Sequence, residues 1–136
     1  MRITNEIKQS GMKRIISTTA APGAIGPYSQ AVEANGTLYI SGQVAIDPAT
    51  GKMVEGGITE QTARVLNNIK AILLAAGYSP DNVVKSTCLL SDMSDFKAMN
   101  EVYAKFYTSD QPARAAFAVK GLPLGALIEI ETIAVR

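Results

Sequence analysis

The final stretch of the chain, residues 111–136 (QPARAAFAVKGLPLGALIEIETIAVR), constrains the fold more than any other segment. Residues 113–120 are short and apolar, and 127–135 alternate with β-branched residues, so both read as strands. The intervening Gly121-Leu122-Pro123-Leu124-Gly125-Ala126 carries turn residues at both ends. Alternate side chains of a strand share a face, which groups Arg114, Ala116, Ala118 and Lys120, and separately Leu127, Glu129, Glu131, Ile133 and Val135. Antiparallel pairing of the two, for instance with Ala118 opposite Glu129, predicts one face holding an arginine and two carboxylates above a floor of alanines. Two readings stand. The glutamates are the solvated face of a one-sided sheet, or they form a site, because unpaired buried charge is costly and a core strand does not need it.

A chain of 136 residues, 47% hydrophobic, is long and apolar enough for one domain with a real core. The formal net charge of +1, with acidic and basic residues interspersed, implies neither nucleic acid nor a membrane surface as partner. No apolar run approaches the ~20 residues of a membrane span. The histidine count of zero excludes more functions than any other single fact. It removes Ser-His-Asp and Cys-His catalysis and the His/Cys/Cys zinc sites of zinc deaminases. Cys88 is the only cysteine and lies in the apolar segment VVKSTCLL, where a buried structural thiol is favoured over a reactive one.

Residues 1–12 (MRITNEIKQSGM) are polar with scattered isoleucines and lack the apolar core of a signal peptide; a loosely ordered extension ahead of one domain, 13–136, and a cytoplasmic location are expected. Residues 13–19 read as a strand and 20–27 (AAPGAIGP) as a loop. Residues 28–34 and 37–43 flank Asn35-Gly36, the dipeptide that best supplies the two positive-φ positions of a tight hairpin. Tyr28 stands where the loop enters the strand, a place equally suited to a half-buried core tyrosine. Gly42, in Ser41-Gly42-Gln43, permits close approach of a ligand or another strand. The connection 44–58 holds an Asp-Pro-Ala-Thr-Gly turn and no phosphate-loop spacing.

Residues 59–76 read as a helix capped by Thr59 and ended by Gly77, with Leu66, Ile69, Leu73 and Ala76 at helical spacing. A strand follows at 83–90 and a second helix at 94–107. Its stripe of Phe96, Met99, Tyr103 and Phe106 reads as core packing, and Asn100 borders that stripe. The order β-β-β-α-β-α-β-β predicts an α/β two-layer fold, one mixed six-stranded sheet with two helices on one face. The other sheet face is rich in Ala, Val and Ile, which argues for self-association.

Four segments carry a resemblance to a known family: GAIGPYSQAV (23–32), YISGQVAIDPATG (39–51), NVVKSTCLLSDMSDFKAMNEVYAKFY (82–107) and PARAAFAVKGLPLGALIEIETIAV (112–135). In this order they resemble the RidA or YjgF-type reactive-intermediate (enamine/imine) deaminases over residues 13–136. The resemblance implies a chorismate-mutase-like fold and a homotrimer with clefts between subunits. It implies hydrolysis of 2-aminoacrylate or 2-iminobutyrate to 2-keto acids and ammonia, with no metal and no cofactor. It assigns the family's arginine to Arg114 and its glutamate to Glu129 as catalytic residues. It assigns substrate contacts to Tyr28, Ser41, Gly42 and Asn100, and to Ala116 through its backbone. Deaminases of this group often carry cysteine where this chain has Ala116, so a side-chain role there is lost.

The chemistry agrees with these residue types. A guanidinium holds a carboxylate bidentately, and lysine does not reproduce that planar fork. A protonated imine is already electrophilic, so a glutamate that orients water suffices. The alternative is a trimer that binds carboxylates or 2-keto acids, or signals, through the same cleft without turnover. It needs the arginine but not Glu129. A ribonuclease is disfavoured by the neutral charge and the lack of an aromatic-basic patch.

Overall fold

The computed structural model describes residues 2–136. Nine strands and two α-helices follow one another among them: β1 (Asn5–Ser10), β2 (Lys13–Thr18), β3 (Ala31–Ala34), β4 (Thr37–Gln43), β5 (Ile46–Asp47), β6 (Lys52–Met53), α1 (Ile58–Ala75), β7 (Val83–Leu90), α2 (Phe96–Phe106), β8 (Ala113–Ala118) and β9 (Ile128–Val135). Seven strands form one sheet in the order β1-β2-β3-β4-β9-β7-β8, and β5 pairs with β6 apart from it. Only the β7–β8 pair is parallel. The sheet is therefore mixed, as expected, with both helices on one face.

Local signals explain most boundaries. Asn35 and Gly36 both take positive φ, 51° and 75°, at the β3–β4 turn. Helix α1 begins at Ile58, so its cap lies two residues ahead of Thr59. Gly57 is its cap, and Glu60 reaches back to accept the Gly57 N–H at 2.8 Å. It ends as expected at Gly77 (φ 82°), where Tyr78 N–H donates to the Leu73 carbonyl and Gly77 N–H to the Leu74 carbonyl. The core lies between α1 and the sheet. Val65, Ile69, Ile72 and Leu73 meet Leu38, Ile128 and Ile130, all fully buried. The opposite face leaves Tyr39, Phe117 and Val135 exposed.

The expected C-terminal hairpin does not form. β8 pairs in parallel with β7, and β9 lies between β4 and β7, antiparallel to both. The β4–α1–β7 crossover leaves a gap one strand wide, which β9 fills, and β7–α2–β8 completes a β-α-β unit at the sheet edge. A two-residue turn cannot bridge strands separated by β7. The link instead contains a 3-10 turn, Pro123–Gly125, with Leu124 at φ 58°. Central placement suits β9, whose buried side chains would be wasted at an edge.

The N-terminal extension also departs from expectation. Residues 5–10 are a strand in full register with β2, from Asn5 opposite Thr18 to Ser10 opposite Lys13. Gly11 (φ 61°) makes the tight turn. A Gly-led two-residue turn between polar runs was the overlooked signal. The added strand raises the main sheet from six strands to seven. All six of its residues are nevertheless exposed, so it contributes pairing and little burial. Removing residues 1–11 should leave the domain folded with a melting temperature lowered by less than about 8 °C. A larger drop in a thermal melt would make β1 a structural necessity.

A second consequence follows from Glu33 on β3. Its carboxylate accepts from Tyr78 Oη at 2.7 Å and from Arg14 Nη1 at 2.6 Å. Arg136 lies over the Tyr78 ring at 4.8 Å and donates to the Gly77 carbonyl, so the chain's end closes over the same cluster. The Tyr78 hydrogen bond, reinforced by Arg14, holds the Glu33 carboxyl below its ordinary value against the opposing effect of burial. A carboxylate with a depressed folded-state pKa stabilises above its unfolded value and loses that contribution as pH falls through the folded one. The melting temperature should therefore drop on acidification below about pH 4.5. Glu33→Gln should be less stable at pH 7 and show a shallower acid decline in paired melts.

Candidate active site

Two half-sites emerge, on opposite faces of the sheet. The first sits at the β8 edge on the helix face. The parallel register puts Arg114 beside Ser86 and Ala116 beside Cys88, and Ser86 and Cys88 are both fully buried under the helices. Helix α2 supplies the cradle. Phe96, Asn100 and Tyr103 fall at i, i+4 and i+7, on one helical face. Asn100 Oδ1 accepts from Arg114 Nη1 at 2.7 Å. The guanidinium lies 4.8 Å from the Tyr103 ring centroid and 5.5 Å from that of Phe96. Each such contact is worth ~0.5–1 kcal/mol at an exposed site. Among the described residues no carboxylate pairs with Arg114. Its single polar partner is a neutral amide, which leaves the charge free for an anion.

Ala116 packs against the core edge. Beside it burial pushes the Cys88 thiol up to about 11, so it is protonated at neutral pH and not a nucleophile. This agrees with the structural-thiol reading.

The second half-site is an open pocket of about 400 Å³ on the other face, lined by Ile25, Tyr28, Ser41, Gly42, Val44, Pro123, Glu129 and Glu131. Glu129 lies opposite Leu89 and Glu131 opposite Thr87, on the face away from the helices. Between Ile40 and Gln43 the β4–β9 register shifts, so Ser41 and Gly42 together oppose the single residue Glu131. This is a β-bulge, a common device for re-aiming side chains beside a site. Burial, and secondarily the charge of Glu131, raises the Glu129 carboxyl above its ordinary value.

The walls are pinned by hydrogen bonds of Ser41 and Tyr28 and of two residues outside the expected set, Gln30 and Asn68. Ser41 Oγ donates to the Ser29 carbonyl at 2.6 Å, tying the Tyr28 loop to β4. Tyr28 Oη accepts from Ile25 N–H at 3.3 Å. Buried Gln30 accepts from Thr18 N–H and donates to the Thr18 and Pro22 carbonyls, closing the loop 19–29. Buried Asn68 on α1 donates to the Val44 and Ile46 carbonyls, fixing the segment that brings Val44 to the pocket. Losing such a partner leaves buried carbonyls unsatisfied, at about 1–3 kcal/mol. A lone amide beside a helical stripe or a loop was the available signal.

The seven expected site residues thus divide. Arg114, Asn100 and Ala116 lie together on one side; Tyr28, Ser41, Gly42 and Glu129 lie together on the other. Arg114 and Glu129 do not share a face, because β8 joined β7 instead of β9. Phe96, Tyr103 and Glu131 join the constellation beyond the expected set. Among the described residues no three His, Cys, Asp or Glu side chains group as a metal site.

The family model described as Endoribonuclease L-PSP matches residues 18–136. The chain belongs to the YjgF/RidA family. It is 52% identical to the mouse 2-iminobutanoate/2-iminopropanoate deaminase over 92% of this chain and 93% of the relative. It is 55% identical to a RutC family protein of Pyrococcus horikoshii, over 92% of this chain and 99% of that one. Among solved structures, a putative endoribonuclease of Thermotoga maritima superposes with a TM-score of 0.90 at 50% identity, covering 92% of this chain and 98% of that one. The Escherichia coli protein TdcF, solved with bound serine, gives 0.86 at 41% identity, covering 90% and 98%. In this YjgF/RidA member the Glu129–Glu131 pair makes a direct prediction. Glu131→Gln removes a like charge and should move the Glu129 titration to lower pH, read by carboxyl NMR. An unmoved titration would leave burial as the whole cause.

Proposed function

We propose that this chain hydrolyses 2-enamine and 2-imino acids, such as 2-aminoacrylate and 2-iminobutyrate, to 2-keto acids and ammonia. The names of the relatives at about half identity support the reaction, and the serine bound to TdcF supports a pocket suited to small amino-acid-like ligands. The observation that carries the reading is the separation of charges. Among the described residues Arg114 has no anionic partner, and the Glu129 carboxylate lies in a pocket on the opposite sheet face. Packing the open face of one copy against the edge of the next brings the two together. The exposed Tyr39, Phe117 and Val135 give that open face a reason to be covered. A closed ring of three copies would hold three equivalent clefts. Arg114 then comes from one copy, and Glu129 with Tyr28 from its neighbour. This arrangement takes the place of the single sheet face expected to hold Arg114 and Glu129 together within one chain.

In that cleft Arg114 holds the substrate carboxylate, with Asn100 and the two aromatic rings fixing the plane of its fork. The enamine tautomerises to the imine, whose protonated nitrogen makes the adjacent carbon electrophilic. Glu129 accepts a proton from water as the oxygen bonds to that carbon. The resulting carbinolamine takes that proton from Glu129 on nitrogen, and as its hydroxyl returns a proton to the carboxylate the C–N bond breaks, releasing ammonia and the keto acid. A raised carboxyl value suits a group that both takes and returns a proton. Ser41 and Tyr28 shape the wall. Two carboxylates in one pocket disfavour a polyphosphate backbone, which weighs against RNA despite the family model's description.

Arg114→Ala and Glu129→Gln should each be nearly inactive toward 2-iminobutyrate generated by an amino-acid dehydratase, with keto-acid formation followed. Truncating one partner of a desolvated charge pair typically costs ~2–5 kcal/mol. Arg114→Lys should recover little. Unfolding and refolding the two inactive variants together at equal amounts should restore roughly a quarter of wild-type activity, the share of clefts that receive both intact residues. No recovery would place both residues in one chain. Wild type no faster than spontaneous hydrolysis across several imino acids would leave carboxylate binding without turnover.

A further inference from the structure

Gly42 lies at the β4 bulge, and its surroundings show why a glycine stands there. Its φ lies outside the left-handed region, so the backbone makes no demand for glycine. Space does. A Cβ built on Gly42 meets Glu129 Cδ at 2.8 Å and Cγ at 3.1 Å, with Oε2 closer still, so its three nearest heavy atoms all belong to Glu129. The glutamate therefore folds back from β9 across the bare Cα of the neighbouring strand. The bulge is what brings this about. Ile40 and Gln43 are both buried, and the extra residue between them lets Ser41 and Gly42 oppose Glu131 as a pair. In an unbulged strand, alternation would put Gly42 opposite Ile130 on the buried face and turn Gln43 outward opposite Glu129. Ser41 is already committed to the Ser29 carbonyl, so Gly42 alone is left bare.

We propose that Gly42 is a positioning residue: its missing side chain is the seat that holds the Glu129 carboxylate against β4, aimed into the pocket. The proposal rests on the reading of Glu129 as the group that activates water, and it replaces the expected role of Gly42 as a substrate contact. The colliding atoms are the free end of a flexible side chain, so Gly42→Ala keeps the fold and moves the carboxylate outward. The ionisable groups facing it are Glu131 on β9 and Tyr28 on the loop, with Lys85 of β7 and Tyr39 of β4 both opposite Ile133 further along the same face.

The test compares wild type, Gly42→Ala, Glu129→Asp and the double variant. Gly42→Ala should lower kcat by about 10–100-fold, since misplacing a catalytic group by about 1 Å costs on the order of 10²-fold. KM should stay near the wild-type value, because the substrate carboxylate is held by Arg114. The Glu129 carboxyl, followed by NMR, should titrate at lower pH once displaced toward solvent. Aspartate is one methylene shorter and withdraws from the seat. The double variant should therefore be no slower than Glu129→Asp alone. Independent, multiplying losses would overturn the proposal, as would Gly42→Ala with wild-type kcat and an unmoved titration. Should Gly42→Ala fail to fold, the double variant folds if the clash with Glu129 is responsible; failure of both overturns the proposal. The titration needs no substrate. An inactive wild type would thus refute the deaminase reading while the seat is still decided.

Discussion

Everything about the site depends on the insertion of β9 between β4 and β7. The strand gains two hydrogen-bonded neighbours, and its inward residues Ile128 and Ile130 are fully buried beneath α1. Burying the side chains that a half-exposed strand would leave wet gives roughly 1.5–3 kcal/mol each. With period-two alternation, the same placement forces Glu129 and Glu131 onto the opposite face. The acid is thus presented where the core needs no charge. The arginine is presented where α2 can grip it. Glu129 could not change sides without a register slip of β9 that would turn its isoleucines to solvent and its glutamates to the core.

Around this frame, a small number of side-chain amides and hydroxyls convert loops into walls. Gln30, Asn68 and Ser41 each satisfy backbone carbonyls that no strand partner reaches. Gln61 on α1 satisfies a backbone N–H instead, accepting from Leu127 at 2.9 Å just ahead of β9 as the chain leaves the Pro123–Gly125 turn. These contacts explain how segments without regular structure hold Tyr28, Val44 and Pro123 around one pocket. On the other face, two aromatic rings and one amide do for Arg114 what a carboxylate would do elsewhere, holding the fork without cancelling its charge.

The sequence by itself determined most of the elements, all but the strand at Asn5–Ser10 and the short β5–β6 pair. Helical spacing marked both helices, Asn35-Gly36 marked the β3–β4 turn and Gly77 the end of α1, and the absence of histidine removed histidine-based catalysis while the family resemblance pointed to Arg114 and Glu129. These signals are local, fixed by side-chain periodicity and by the φ angles that glycine and asparagine tolerate. Only the tertiary structure decided which strands are neighbours. Residues 113–120 and 127–135 look like a hairpin because they are close in the chain, yet a β-α-β unit and a strand-wide gap beside β4 direct them to different partners. Pairing is a contest among distant segments for burial, and a local pattern does not report its outcome. That contest alone placed Arg114 and Glu129 on opposite faces, brought the polar extension in as an edge strand, and set Gly42 beneath the glutamate.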